Sequence, residues 1–276
     1  MQVNARGRLA IGGCDVVELA REFGTPLYIF DEDCIRNNCR EFYRAFRVKE
    51  GRGKVIYAGK AFLTTAMCRI VASEGLGLDV VSGGELYTAL AAGFPVENIF
   101  FHGNNKSYAE LCQALEAGVG RIVVDNFAEL ELLSRLSTER GLVARVILRV
   151  TPGIEAHTHD YIRTGQIDSK FGFTLPNGQA LAAARRVAEL PGLEFRGLHC
   201  HIGSQIFELE PYGQAAAVML ELAAAVKEAT GLITTELDLG GGFGIYYTDA
   251  DHPRPVAAYA ETIFTRVREE TRALGL

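Results

Sequence analysis

Seven short β-type runs, six of them followed by an amphipathic stretch of helical period, constrain this chain more than any other feature of its sequence. The strand candidates are Val55–Ala58, Leu78–Val81, Asn98–Phe101, Arg121–Val124, Ala144–Val150, Glu194–His201 and Glu236–Leu239. Helical patterns lie between them at about Leu63–Glu74, Glu85–Ala92, Ser107–Ala117, Asn126–Glu139, Gly178–Glu189 and Leu209–Thr230. Gly75, Gly93, Gly118, Gly141, Gly192 and Gly231 fall near the ends of those helices, where a left-handed cap is wanted. Strand-then-helix repetition at this spacing predicts an α/β fold with a parallel sheet and helical crossovers.

Two topologies fit, a doubly wound open sheet and a closed barrel. Polar or glycine-rich segments follow nearly every strand, which favours the barrel, because all its strand C-termini converge on one site. With 276 residues, 48% of them hydrophobic, the chain is long enough for a (β/α)8 barrel of about 250 residues. After the seventh strand only a helical segment remains, about Val256–Leu274, so the predicted barrel is incomplete, with seven of eight strands. Ahead of it, Leu27–Phe30 and Asp31–Phe46 read as a strand and an amphipathic helix, with Asp31 as N-cap. Residues 1–26 read as a less regular lead-in and residues 27–276 as the partial barrel domain.

The net charge is −6 and no block of Lys or Arg stands out, so nucleic acid and anionic membranes are not expected partners. The N-terminus lacks the apolar core of a signal peptide and no run approaches transmembrane length. The six cysteines (Cys14, Cys34, Cys39, Cys68, Cys112, Cys200) show no C-x-x-C spacing and read as buried, reduced thiols. The expected compartment is the cytoplasm.

The first strand ends on a lysine, in V-I-Y-A-G-K-A (Val55–Ala61). A lysine there has a rigidly held stem and a partly desolvated amine, and a neutral amine can form a Schiff base with an aldehyde. Lys60 could equally be a solvated strand-end residue. G-G-G-F-G (Gly240–Gly244) follows the seventh strand; such a run brings backbone N–H groups close to an anion such as phosphate, or simply makes a tight turn. It is no dinucleotide fingerprint, because no helix opens directly from it.

His199 and His201 alternate with Cys200, so both imidazoles point to one side of their strand. They could be a metal pair, one could pack flat on an aromatic cofactor, or they could form a hydrogen-bonded core pair. Ser204 adds a hydroxyl suited to a phosphate contact. Asp79 and Glu85 flank S-G-G and could orient a lysine or a ligand cation, or Glu85 could simply start a helix. His157, His159 and Asp160 also resemble a metal cluster, but in a long loop of Gly and Thr. No metal is expected.

Together, Y-A-G-K-A, S-G-G-E, F-H-G-N-N-K, T-P-G-I-E-A-H-T-H, D-S-K-F-G-F, H-I-G-S-Q and G-G-G-F-G stand in the order found in the pyridoxal-phosphate-dependent decarboxylases of the alanine-racemase-like fold. From about Leu27 to its C-terminus the chain resembles their barrel domain, and T-P-G-I-E-A-H-T-H with D-S-K-F-G-F points to the diaminopimelate branch over the ornithine, arginine and carboxynorspermidine branches. The resemblance implies pyridoxal 5'-phosphate bound covalently at Lys60, with His201 on the ring face and Ser204, Gly240, Gly241 and Gly242 holding the phosphate. It places Asp79, Glu85 and Arg149 in the lysine and cofactor surroundings.

The implied reaction is decarboxylation of meso-2,6-diaminopimelate to L-lysine and CO2, by an enzyme that acts on a small amino acid and is a homodimer at full length. The family's eighth-strand E-P-G-R-type segment and C-terminal β-domain are not present, so the chain is expected to be inactive alone. A non-catalytic homologue would keep this fold without turnover, but the presence of Lys60, His201 and Ser204 argues against it. A metal-dependent barrel hydrolase would carry H-x-H on an early strand, whereas here it lies on the sixth.

Overall fold

The structure is a computed structural model that describes residues 1–48, 53–154 and 170–276. Its N-terminal residues are more regular than predicted. Strands β1 (Gln2–Val3), β2 (Leu9–Ile11) and β3 (Cys14–Asp15) form a small antiparallel sheet. Helix α1 (Val16–Phe23) follows, with the Asp15 side chain accepting from the N–H groups of Val17 and Glu18. Strands of two or three residues carry too little alternation to show in sequence.

Leu27–Phe30, predicted as a strand, is not one. The composition is right, but an extended segment becomes a strand only by hydrogen bonding to another, and Tyr28 is 89% exposed. Asp31 does cap α2 (Glu32–Tyr43), accepting from the Cys34 N–H, and one π-helical turn (Arg44–Val48) extends that helix.

The main sheet then builds in strand-helix steps: β4 (Ile56–Ala58), α3 (Thr65–Ser73), β5 (Gly77–Val80), α4 (Gly83–Ala91), β6 (Ile99–Phe101), α5 (Tyr108–Ala117). It continues with β7 (Arg121–Val124), α6 (Phe127–Arg140), β8 (Ala144–Thr151), β9 (Phe173–Thr174) and α7 (Gln179–Glu189). It ends with β10 (Leu193–Cys200), α8 (Glu210–Thr230), β11 (Glu236–Asp238) and α9 (Val256–Leu274). Helices α3 to α6 open on Thr64, Ser82, Ser107 and Asn126, whose side chains each accept a bond from the helix's first turn. The six glycines predicted to stop helices all have positive φ.

All neighbours in this sheet run parallel, in the order β4-β5-β6-β7-β8-β10-β11. The seven predicted barrel strands are therefore all present. The short β9 was not predicted; it pairs with the last residues of β8 beyond the point where β7 ends. β4 and β11 end the sheet and do not pair with each other, so this is an incomplete (β/α)8 barrel.

Side-chain alternation sorts the sheet into two layers. Leu78, Ile99, Ile122, Val146 and Leu198 pack outward in the large core shared with the helices. Phe100, Val123 and Ile147, with Ile56 against them, form a separate small cluster in the barrel interior. Below that cluster, Arg121 on β7 donates from Nε to both carboxylate oxygens of Glu236 on β11, at 2.9 and 2.8 Å. A bond between strands so far apart in the sheet order shows how far the sheet curls. Cys39, Cys68, Cys112 and Cys200 are buried thiols as expected, whereas Cys14 and Cys34 are exposed because the first lies in the marginal N-terminal sheet and the second on the outer face of α2. Among the described residues no helix is long and apolar enough to cross a membrane.

Candidate active site

The period of two that points Phe100, Val123 and Ile147 inward continues toward the strand C-termini, and there the inward residues become polar. They are Asp79, His102, Asp125, Arg149, His199, His201 and Asp238. In register, His199 stands beside Arg149 on one side and Asp238 on the other. The His102 and His199 rings meet edge to face at 4.7 Å between centroids, and His102 Nε2 lies 3.9 Å from Asp79 Oδ2. Arg149 Nη1 lies 3.6 Å from Asp125 Oδ1.

Burial governs the protonation of this layer. It drives the pKa of His102 and of His199 well below the ordinary histidine value, with Arg149 and His201 acting on both in the same direction, so both imidazoles are neutral near pH 7. Burial, reinforced by Asp238, raises Asp79 well above the usual carboxylate range, and burial raises Asp238 to about 6. His201 is lowered to about 4, by burial first and then by Lys60 and Arg149. A neutral imidazole at this position can lie flat on an electron-poor ring without adding charge.

Lys60 occupies the 3-10 turn Gly59–Ala61 directly after β4. Gly59 packs so closely on β5 that a Cβ would lie 2.6 Å from the Asp79 carbonyl, which fixes the turn beside the end of β5. The lysine's charge reaches Asp79, His102, His199 and His201, so it shares their end of the barrel. The expected desolvation is not found: Lys60 is exposed, at the rim rather than in the wall, because its turn projects past the last sheet hydrogen bond.

The glycine run and Ser204 form one unit. The loops that carry them are joined by backbone bonds from Ile206 N–H to the Gly242 carbonyl (3.0 Å) and from Gly244 N–H to the Ile206 carbonyl (2.8 Å). The hydroxyl of Tyr212 donates to the Gly241 carbonyl at 3.0 Å. Gly240 and Gly242 have φ of 70° and 88°, and a Cβ would fall 2.7 Å from His201 Nδ1 at the first and 1.9 Å from the Gly203 carbonyl at the second. A Cβ on Gly242 would also lie 3.1 Å from the Ser204 Cα. At Gly241 a Cβ meets nothing within 4 Å, so the run bounds an open space.

The Gly240 N–H donates to Asp238 Oδ1 at 2.8 Å; Gly240 therefore shapes the turn while its own donor is engaged. Gly241→Val is expected to leave the melting temperature nearly unchanged and to weaken phosphate-bearing cofactor binding roughly 100-fold, the equivalent of two charge-assisted hydrogen bonds. Equilibrium titration of the variant checks this, and unchanged affinity would reduce the run to a turn.

Glu85 belongs to the helix start. Its Oε2 accepts the Val81 N–H at 2.7 Å, and its own N–H donates to the Ser82 hydroxyl at 3.2 Å. Among the described residues, the three ligand-type atoms that gather within 4.8 Å of one another belong to His102, His199 and Asp238, a grouping that joins His199 to residues other than His201. His157, His159 and Asp160 lie outside the described residues. His102, Asp125 and Asp238 were not assigned roles from sequence, although counting by twos from Phe100, Val123 and Gly240 reaches all three.

Polar side chains from several parallel strands, gathered at the C-terminal ends of a barrel sheet, define a barrel of enzymatic type. The pyridoxal-binding domain of the pyridoxal-dependent decarboxylases matches residues 32–275. The chain belongs to that family. It is 50% identical over its whole length to a diaminopimelate decarboxylase of Bacillus methanolicus and 49% identical over 99% of its length to that of Bacillus subtilis, and it spans 64% and 62% of those relatives. A solved diaminopimelate decarboxylase from M. jannaschii in complex with L-lysine superposes with a TM-score of 0.90 at 33% identity, over 98% of this chain and 63% of that one. The family's cofactor, pyridoxal phosphate, fits what is present: an amine at the rim, a neutral imidazole behind it, and a glycine-bounded space beside a serine.

Proposed function

We propose that this chain is the cofactor-binding barrel of an enzyme that decarboxylates meso-2,6-diaminopimelate to L-lysine and CO2. The observation that carries the reading is the convergence of Lys60, His201 and the 240–242 glycine run at one end of the barrel. The names of its relatives supply the substrate.

Bound pyridoxal phosphate supplies an electron sink into which the bond to a departing carboxylate can empty. Lys60 would hold the cofactor through its Nζ at the rim, and the same amine would be placed to hold or give up a proton there. His201, buried and neutral, would be the side chain to pack on the cofactor ring and keep water from it. Ser204 and the backbone of the glycine run would hold the phosphate, while Gly240 keeps the turn shut through Asp238. Asp79 and Arg149 set the field on the floor below. The same reading makes the full gene product a cytoplasmic homodimer, which a sedimentation mass of one chain would overturn.

The direct test is an absorbance scan and an assay. The full gene product is expected to absorb at about 420 nm with the cofactor bound and to release lysine and CO2 from meso-diaminopimelate. Absorbance with turnover only of ornithine or arginine would move it to another branch of the family.

A further inference from the structure

Arg149 faces several carboxylates, and its orientation is a matter of which one holds it. Asp79 and Asp238 share its end of the barrel, and both feel its charge. Asp125, two residues past the inward Val123, is 5% exposed, and its Oδ1 lies 3.6 Å from Arg149 Nη1. What distinguishes Asp125 is how firmly it is fixed. Its Oδ2 accepts the Gly172 N–H at 2.9 Å, and its own N–H donates to Glu129 Oε2 at 3.0 Å. Glu129 is in turn 2.7 Å from Lys106 Nζ, a buried amine that also donates to the Gly103 and Val123 carbonyls. The Arg149 guanidinium also lies over the Phe171 ring, 4.2 Å from its centroid. Gly172, at φ 74°, packs so tightly that a Cβ would sit 2.8 Å from the Arg149 carbonyl.

We propose that Asp125 is a positioning residue of this site: with Phe171 it clamps the Arg149 guanidinium in one orientation, so that this cation meets the bound cofactor and substrate from a fixed point. Asp125 touches neither. The Lys106–Glu129 pair acts one step further back, by locking the backbone that carries Asp125. Without the Asp125 charge, the guanidinium turns toward Asp79 or Asp238 and its field is displaced from the reacting centre. This inference rests on the function proposed above.

The test is a double-mutant cycle in the full gene product, loaded with pyridoxal phosphate. Asp125→Asn keeps the size and the acceptor for the Gly172 N–H and removes only the charge. It is expected to retain the cofactor's absorbance and to lower kcat roughly 10- to 100-fold, the effect of a misplaced catalytic-site group. In an Arg149→Ala background the same change is expected to alter kcat less than about 2-fold, because groups that act as a unit are non-additive. An equal fall in both backgrounds, or no fall in either, overturns the proposal. Should Asp125→Asn not fold, Phe171→Leu probes the clamp at the ring, with the same dependence on Arg149 expected and the same equal falls overturning it. An unmutated enzyme with neither cofactor absorbance nor turnover overturns function and clamp together; an active enzyme indifferent to Asp125 overturns the clamp alone.

Discussion

Lys60→Ala is expected to abolish turnover, by a factor on the order of 1,000 or more, while leaving the barrel folded. The fold tolerates the change because Lys60 is exposed in a turn, and nothing in the hydrophobic core depends on its stem. Activity is not expected to tolerate it, because among the described residues Lys60 alone stands in the turn that follows β4. Lys106 is committed to Glu129 and two backbone carbonyls, and Lys54 lies at the opposite end of the barrel over the Phe100 ring. Borohydride reduction of the loaded enzyme followed by peptide mapping should place the cofactor on Lys60. A reduced adduct on Lys106 or Lys170, or substantial turnover by the alanine variant, would remove Lys60 from the centre of the mechanism.

The strand-helix rhythm was readable because β-branched and apolar residues concentrate in the strands and a positive-φ glycine follows most of the helices; a helix at about Val256–Leu274 was placed from that pattern alone. The candidate site drew notice in the sequence where its residues are chemically unusual for their position, as a lysine after a strand or three glycines in a row. It was not readable where an ordinary residue acts through geometry. Asp125 stands in V-V-D-N, a sequence that reads as a helix cap, and only the parallel register of β7 on β8, Val124 opposite Leu148, brings its carboxylate to Arg149. Glu85 shows the converse: its motif suggested chemistry, and the structure uses it to fasten the start of α4. Leu27–Phe30 has a strand's composition but no partner strand, and a ladder between segments is not a property of either one.

Produced as these 276 residues and nothing more, the chain is expected to be inactive and prone to aggregate, even though Lys60, His201, Ser204 and the glycine run are present. β4 and β11 end the sheet without pairing, so each leaves a row of N–H and C=O groups outside the sheet ladder. Barrels avoid this by closing, and open apolar edges template association with other chains. Aromatic groups lie exposed nearby: Phe30 and Phe62 stack on each other at 4.1 Å, and Phe62 stands two residues past Lys60. A further strand and helix closing the gap would remove ~400 Å² of apolar surface from water, worth ~10 kcal/mol at 25 cal/mol per Å². That is the size of a domain's whole net stability, about 5–15 kcal/mol. Light scattering, a thermal melt and a lysine assay on this chain check the expectation together. A monodisperse monomer with a sharp transition and measurable lysine formation would mean that the open edges are harmless and that seven strands suffice for the chemistry.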